Sequence, residues 1–524
     1  MNKPLPTDIK PVVFINAYFE KTVFNFLFSF VAGAIAALAM PPSPIWGLLL
    51  ISVPVLYYAV TKAKNRLVAF GSGWVFGFGY FVFSLSWVAN ALLVEGNPYV
   101  WAWPLAACGL PALLAFFPAL ACLIAKSFMR LNHISGWLGF VAAYALFEWV
   151  RGHIFTGFPW NLFGYTWVDS LPMIQVLRLS DVYFLTLLTL IWACAPALML
   201  LQSSAQKISG LLIVTLTLLG TFAYGQAELS GAEQETTPLN IRVVQPNIAQ
   251  HEKWERGKQY SNFEKHLNLS TQQPLPDEPI IVVWPETAVS YRLLQTAPAQ
   301  ILFRNALASL PVGSSLLTGY LRYDAETGQY FNSLVEFDRM GTIQNIYDKN
   351  HLVPFGEYIP FQQWIPLKPV VQFQGFGRGE GIVSLNSLQN KAYSPLVCYE
   401  IIFPGRATDT NNPPDFIVNV TNDAWYGDSA GPHQHLAKAV YRAVETGIPV
   451  IRSANTGISA IIDPYGRKNQ SQSVFTKETI NAKMPKIRGQ SFIDDWAKNN
   501  IFMFLVFAFF SFALIKKHYN TNED

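Results

Sequence analysis

Cys398, Glu286 and Lys349 are residues of this chain whose types could together carry out acyl transfer. Of the four cysteines, Cys108, Cys122 and Cys194 fall in long apolar stretches, and only Cys398 falls in a polar, folded-looking region. A single thiol there cannot be half of an internal disulfide framework, so it reads either as a packed small hydrophobe or as a nucleophile. A free thiol has a pKa of about 8.5, which leaves only a few per cent as thiolate at neutral pH. A carboxylate within hydrogen-bond reach can take its proton as general base. A lysine ammonium nearby steadies the thiolate and then the oxyanion of a tetrahedral intermediate. A lone glutamate or lysine in a loop is ordinarily a solvated surface charge, so residue types and spacing alone leave both readings of Cys398 open.

All three residues end or follow short strand-like runs. Glu286 follows IIVVWP, Lys349 follows TIQNIYD, and Cys398 closes YSPLV. In α/β sheets the side chains just beyond the strand ends commonly form the site, so residues far apart in sequence can converge there. Strands are expected at 241–245, 280–284, 315–320, 332–337, 342–347, 393–398, 416–421, 449–454 and 458–463, with helices near 257–271, 296–309 and 432–447. This alternation over 240–485 predicts a layered α/β domain long enough to hold its own core.

The rest of the chain is of another kind. The 524 residues are 51% hydrophobic and only 14% charged, with mean hydropathy +0.24, whereas soluble domains carry roughly 25% charged residues. The apolar excess lies in 22–226 and again in 499–515. A net charge of +3 without lysine- or arginine-rich blocks argues against nucleic acid. The N-terminus does not read as a cleaved signal peptide, because its first apolar run continues into others.

A helix needs about 20 apolar residues to cross a hydrocarbon core. About eight spans are expected, near 23–40, 44–61, 67–91, 101–125, 135–150, 173–201, 208–225 and 499–515. A re-entrant hairpin is the alternative for the first two, joined at Pro41–Pro44. Lysines and arginines cluster before span one and after spans two, four, six and eight, which by the positive-inside rule puts both termini in the cytoplasm and the α/β domain outside. The expected organisation is a membrane region at 1–226, a polar linker at 227–239, the catalytic domain at 240–485 and a last span with a short tail at 486–524. Glu148, Arg151 and His153 at the edge of an apolar segment read first as a structural ion pair and second as a functional group. The glycines of 71–80 are spaced for close helix packing. His433 and His435 share no helical face and have no completing ligand cluster, so helix capping or packing is their expected role.

The segments VVWPETA (282–288), YDKNHLVPFGEYIP (347–360) and VCYEIIFPG (397–405) resemble the nitrilase, or carbon–nitrogen hydrolase, superfamily, whose members use a Glu-Lys-Cys triad. Together with the many-span region, the single late span, and the matches VVQPNIAQHEKW (243–254), YFNS (330–333) and TNDAWYG (421–427), the chain is similar to the apolipoprotein N-acyltransferase family. The resemblance implies an extramembrane αββα sandwich beside a polytopic helical region. It implies Glu286 as general base, Lys349 as oxyanion stabiliser, Cys398 as nucleophile and Glu357 as a second essential carboxylate. Trp254, Asn332, Tyr399 and Glu400 match supporting residues. It implies no cofactor and no metal. The partners implied are a phospholipid acyl donor (typically phosphatidylethanolamine), a diacylated apolipoprotein acceptor, and the bacterial inner membrane with the catalytic domain in the periplasm.

Residues 355–379 are rich in Gly, Pro and aromatics with little periodicity. They read either as a lid whose Phe361, Trp364, Phe373 and Phe376 dip into the interface or as an ordinary packed loop. Two other functions fit parts of the chain. A membrane-tethered amidase would use the same triad with water as second nucleophile, yet a soluble amide needs no many-span platform. A transporter would carry paired charges along its spans, and few ionisable groups lie there.

Overall fold

The structure, a computed structural model, describes residues 21–520 apart from 96, 98, 254, 256, 361–374 and 490–494. Its first part is helical: α1 (Thr22–Ala37), α2 (Leu49–Lys62), α3 (Arg66–Leu85), α4 (Trp103–Leu114), α5 (Phe116–Phe128), α6 (Ile134–His153), α7 (Val182–Ala193) and α8 (Ser204–Ser230). Three helical stretches, Arg66–Leu93, Val100–Phe128 and Ser204–Ser230, are long and apolar enough to cross a membrane, and four further apolar helices are shorter. α1 has 16 residues, hence a length of about 24 Å, short of a core about 30 Å thick. The expected span at 173–201 is interrupted. A short turn of helix at Leu171–Ile174 and a 3-10 turn at Gln175–Arg178 precede α7, which has only 12 residues. The cause is Asp181, whose carboxylate accepts from the N–H groups of Tyr183 and Phe184 and starts a fresh helix there.

The glycines of α3 pack as their spacing predicts. A Cβ on Gly79 would stand 2.5 Å from the carbonyl oxygen of Phe30 on α1, and one on Gly73 would stand 2.6 Å from that of Pro118 on α5. On α8, Leu211, Leu216 and Leu219 are exposed, presenting an apolar face away from the bundle. Glu148 and Arg151 pair at 2.6 Å and are fully enclosed. Arg151 also donates to the carbonyls of Phe158 and Trp160, so the pair fixes the loop after α6.

The second part is a sandwich of two sheets. The first holds β1 (Thr236–Gln245), β2 (Ile280–Val283), β3 (Val289–Ser290), β4 (Ser315–Asp324), β5 (Gln329–Asp338), β6 (Ile343–Asp348) and β13 (Glu478–Pro485), in the order 13-1-2-4-5-6 with β3 beside β4. The second holds β7 (Leu385–Asn386), β8 (Ala392–Val397), β9 (Phe416–Thr421), β10 (Val450–Ala454), β11 (Ala460–Ile462) and β12 (Lys468–Ser471), in the order 12-11-10-9-8-7. The centre of each sheet is parallel, β1-β2-β4 and β8-β9-β10, which is why these strands read as continuous apolar runs. Val243, Val283 and Leu317 of one sheet meet Val397, Val418 and Ile451 of the other. The polar stretch at 227–239, expected as a linker, is ordered on both sides: α8 continues to Ser230, and β1 pairs with β13 from Thr236.

The outer layers differ. α9 (Gln259–Thr271) and α10 (Ala297–Ala308) cover the first sheet through Phe263, Leu267 and Phe303, in a core of their own. α11 (Gly431–Thr446) covers the second sheet, and its other face is packed into the membrane helices. Gln434 on α11 shows how close that joint is. Its Oε1 accepts from the indole N–H of Trp87 (3.2 Å) and Trp160 (2.9 Å), and its Nε2 donates to the carbonyls of Pro41 (3.3 Å) and Ser84 (3.2 Å). The chain ends on α12 (Asp495–Asn520), whose Phe502 and Val506 join the same core as α6 and α7.

Candidate active site

The carboxyl ends of β2, β6 and β8 and the amino-terminal half of β5, which runs antiparallel to β4 and β6, meet at one buried cluster. Glu286, Asn332, Lys349, Glu357 and Cys398 are each no more than 8% exposed. Glu286 stands on a sharp turn after β2, where Thr287 has φ +46°. The turn lies flat on β4, with Gly319 donating to Pro285 O (3.2 Å) and Ala288 donating to Gly319 O (2.9 Å). Only glycine fits at 319, because a Cβ there would meet the Cα of Glu286 at 2.4 Å.

Asn332 of β5 bridges two carboxylates, its Nδ2 donating to Glu286 Oε1 (2.7 Å) and Glu357 Oε1 (3.1 Å). Lys349 follows β6 and is held to β5 by its own N–H on the carbonyl of Asn332. Its ammonium lies 2.9 Å from Glu357 and 3.9 Å from Glu286. Glu357 also accepts from the N–H of Val353 (2.8 Å). Burial works against the charge on Lys349, but Glu357 and then Glu286 more than offset it, and the ammonium is held well above the ordinary lysine range.

Cys398 closes β8 with φ +53°, a left-handed conformation costly to a side-chain-bearing residue and of the kind that accumulates at functional sites. Burial pushes its thiol up, the charge of Glu286 adds to this, and Lys349 pulls the other way. A thiol raised in this way favours keeping its proton, so an attack by Sγ would need a base to take it. Thr421 Oγ1 lies 3.3 Å from Sγ and 2.9 Å from Asp423 Oδ1.

Glu400 and Tyr399 serve position. Glu400 Oε1 accepts from Tyr347 Oη (2.8 Å) and the N–H groups of Asn350 (2.8 Å) and His351 (3.0 Å), while Oε2 accepts from the N–H of Val397 (2.8 Å). One carboxylate thus ties the lysine loop to the nucleophile strand. Tyr399 Oη donates to Gly157 O (3.1 Å), in the loop that Arg151 fixes. Phe376 donates its N–H to Glu357 O (3.1 Å), so the far end of the expected lid is stitched to the site. Trp254, Phe361, Trp364 and Phe373 lie outside the described residues.

Sequence reasoning missed a second layer. Asp423 is clamped by Arg452 (2.7 Å) and His435 (2.8 Å), and His435 Nε2 lies 3.2 Å from the carbonyl of Cys398. Burial opposes the charge on Asp423, but Arg452 and His435 outweigh it and hold the carboxyl down to about 2. The one available signal was the segment 421–427, which carries Thr421 and Asp423. Among the described residues no cluster of three His, Cys, Asp or Glu side chains is placed to hold a metal ion.

The arrangement brings a thiol, two carboxylates and an ammonium together in one buried cluster. Residues 240–492 match the carbon-nitrogen hydrolase family. Residues 32–195 match the apolipoprotein N-acyltransferase N-terminal domain. The chain is 38% identical over 482 residues to an apolipoprotein N-acyltransferase of Brucella melitensis biotype 1, covering 88% of this chain and 90% of that one. The chain belongs to the apolipoprotein N-acyltransferase family.

A second relative of the same description, from Agrobacterium fabrum, is 39% identical over 83% of this chain and 85% of its own length. A solved CN-hydrolase superfamily protein of Xanthomonas campestris is 20% identical over 47% of this chain and 90% of its own, with a TM-score of 0.36. As a member of the apolipoprotein N-acyltransferase family the chain is an acyltransferase of lipoprotein maturation. Its apolar helices fit a membrane enzyme whose substrates are a lipoprotein and a lipid acyl donor.

Proposed function

We propose that the chain moves an acyl group from the sn-1 position of a phospholipid, typically phosphatidylethanolamine, to the α-amine of an N-terminal S-diacylglyceryl cysteine, through a thioester on Cys398. Glu286 takes the thiol proton as Sγ attacks the ester carbonyl. The oxyanion forms against Lys349. Collapse breaks the bond to the glycerol oxygen, which recovers the proton from Glu286 and leaves as lysophospholipid. In the second half the amine attacks the thioester and gives a proton to Glu286. The C–S bond then breaks, and Sγ recovers that proton as the amide departs. One nucleophile serves two substrates in turn, which is substituted-enzyme kinetics.

The observation that carries this reading is the placement of a nucleophile, base and ammonium on a sandwich whose α11 is shared with an apolar helical bundle. Such a joint would keep a thioester site near lipid, which supports acyl transfer between membrane substrates over hydrolysis of a small amide. We further propose about eight spans in the bacterial inner membrane, a periplasmic catalytic domain at 240–485, and both termini in the cytoplasm. We also propose that residues 355–379 form a lid or arm at the membrane interface.

Intact mass of the purified protein, wild type against Cys398→Ala, after exposure to phospholipid and then to a diacylated lipopeptide, tests the reading. An acyl adduct labile to hydroxylamine should appear on the wild type alone and pass to the peptide amine. Equal adducts on both proteins would sink the mechanism, and free fatty acid with no acylated peptide would return the amidase.

A further inference from the structure

Beside Glu286, on the side away from the membrane helices, a cleft opens between α9 and the turn after β2. Gln259, Asn262 and His266 of α9 line it, one helical face at spacings of three and four, together with Lys253 and Glu286. Two of these residues carry unsatisfied acceptors. His266 is 2% exposed and Asn262 is 6% exposed. His266 Nδ1 donates to the carbonyl of Asn262 (2.8 Å), which makes Nε2 a lone pair, and among the described residues nothing donates to it. Burial holds the ring down to about 4, so it stays neutral in use. Asn262 Nδ2 donates to the carbonyl of Glu252 (3.1 Å), and its Oδ1 has no partner among the described residues. Buried acceptors left unpaired are costly, and such groups mark places where a donor arrives.

Charge then selects the kind of donor. Lys253 stands at the cleft wall with its Nζ on the carbonyl of Glu286 (2.7 Å), so an ammonium that stays protonated at neutral pH, such as an ethanolamine head group, is repelled, whereas a peptide α-amine, with an ordinary pKa of about 7.7, can enter neutral. A phosphate would meet the carboxylate of Glu286 and two lone pairs. A neutral N–H donor suits the site, and a peptide backbone supplies it. Position agrees. The core beneath α9 and α10 contains no residue of the membrane helices, whereas the core beneath α11 is built on them. Lipid head groups stay at the bilayer, while a polypeptide leaves it.

We propose that this cleft binds the first peptide N–H groups of the acceptor polypeptide, through His266 Nε2 and Asn262 Oδ1, and so presents the α-amine to Glu286. The proposal rests on the acyl-transfer reading above and names where its second substrate is held.

The test uses the full-length enzyme first loaded as the thioester from phosphatidylethanolamine, then mixed with S-diacylglyceryl-cysteine methyl ester, which has no N–H beyond its α-amine, or with the same lipid on a five-residue peptide. His266→Phe should raise the half-saturating concentration of the five-residue acceptor about tenfold, the scale of one lost hydrogen bond, and leave the single-residue acceptor unchanged. His266→Gln, which keeps an acceptor atom, should restore the peptide. A probe that needs no variant is the same peptide N-methylated singly at each bond after the lipidated residue. One of these should bind the wild type about tenfold more weakly. Equal shifts on both acceptors, or full tolerance of every N-methyl peptide, would overturn the proposal. Failure of the wild type to form the thioester at all would instead overturn the acyl-transfer reading.

Discussion

Lys349 Nζ stands 3.9 Å from Oε1 of Glu286, an ion-pair distance too long for a hydrogen bond, because Glu357 takes the close contact at 2.9 Å. This divides the work of two carboxylates. On the proposed mechanism Glu357 holds the ammonium and Glu286 keeps a lone pair for the thiol proton. Glu357→Gln should let Lys349 turn to Glu286 and neutralise the base. A fall of about a hundredfold in thioester formation is expected, with the protein still folded. Single-turnover mass measurement reads it, and an unchanged rate would refute the division.

The Glu286 turn depends on the absence of a side chain at 319. Gly319→Ala puts a methyl 2.4 Å from the Cα of Glu286 and from the N of Thr287. The turn must lift from β4, at a cost of about 1–3 kcal/mol, and carry the base with it. Both the thermal midpoint and the thioester rate should fall, whereas Ser333→Ala on the neighbouring strand should spare the rate.

Gln434 joins the sandwich to the membrane bundle. Gln434→Leu leaves the N–H groups of Trp87 and Trp160 without that acceptor in a buried site, each costing about 1–3 kcal/mol where no other partner replaces it. Melting in detergent should come earlier and broader than in wild type. A midpoint equal to the wild type's would mean the joint is held elsewhere.

Asp423 sets an acid limit on the fold. Its carboxyl is depressed from 3.8 to about 2, so the group adds stability above the unfolded value and loses it as pH falls through the folded one. The window is therefore pH 4 down to 2, and the contribution at neutral pH is about 2 kcal/mol. Thermal midpoints of wild type and Asp423→Asn should differ most at pH 7 and converge toward pH 2. A constant difference across that range would assign the effect to packing alone.

The sandwich was legible because its central strands, buried on both faces, are unbroken apolar runs, and because Glu286 and Cys398 follow two of them; Lys349 follows β6, a more polar edge strand. The edge strands β7, β12 and β13 escaped notice, since LN and KNQS are short and polar and β13 alternates. The membrane spans were harder. Hydropathy alone carries 173–201 as one stretch, and the break at Asp181 is a single capping side chain. Asp423, Arg452 and His435 could not be joined from sequence, because nothing local to any of them names its partners. His266 was hidden for the opposite reason: it sits on an ordinary amphipathic helix, and only the missing partner on Nε2 sets it apart.

α11 has no solvent-facing side, with buried residues on every turn from Gly431 to Glu445. A gene fragment encoding the sandwich alone would therefore yield a protein with an uncovered greasy underside, rich in Leu436, Val440 and Tyr441, and with Gln434 stripped of its indole donors. Such a fragment should aggregate on expression, so work on this enzyme must carry its membrane half along even when the chemistry alone is of interest.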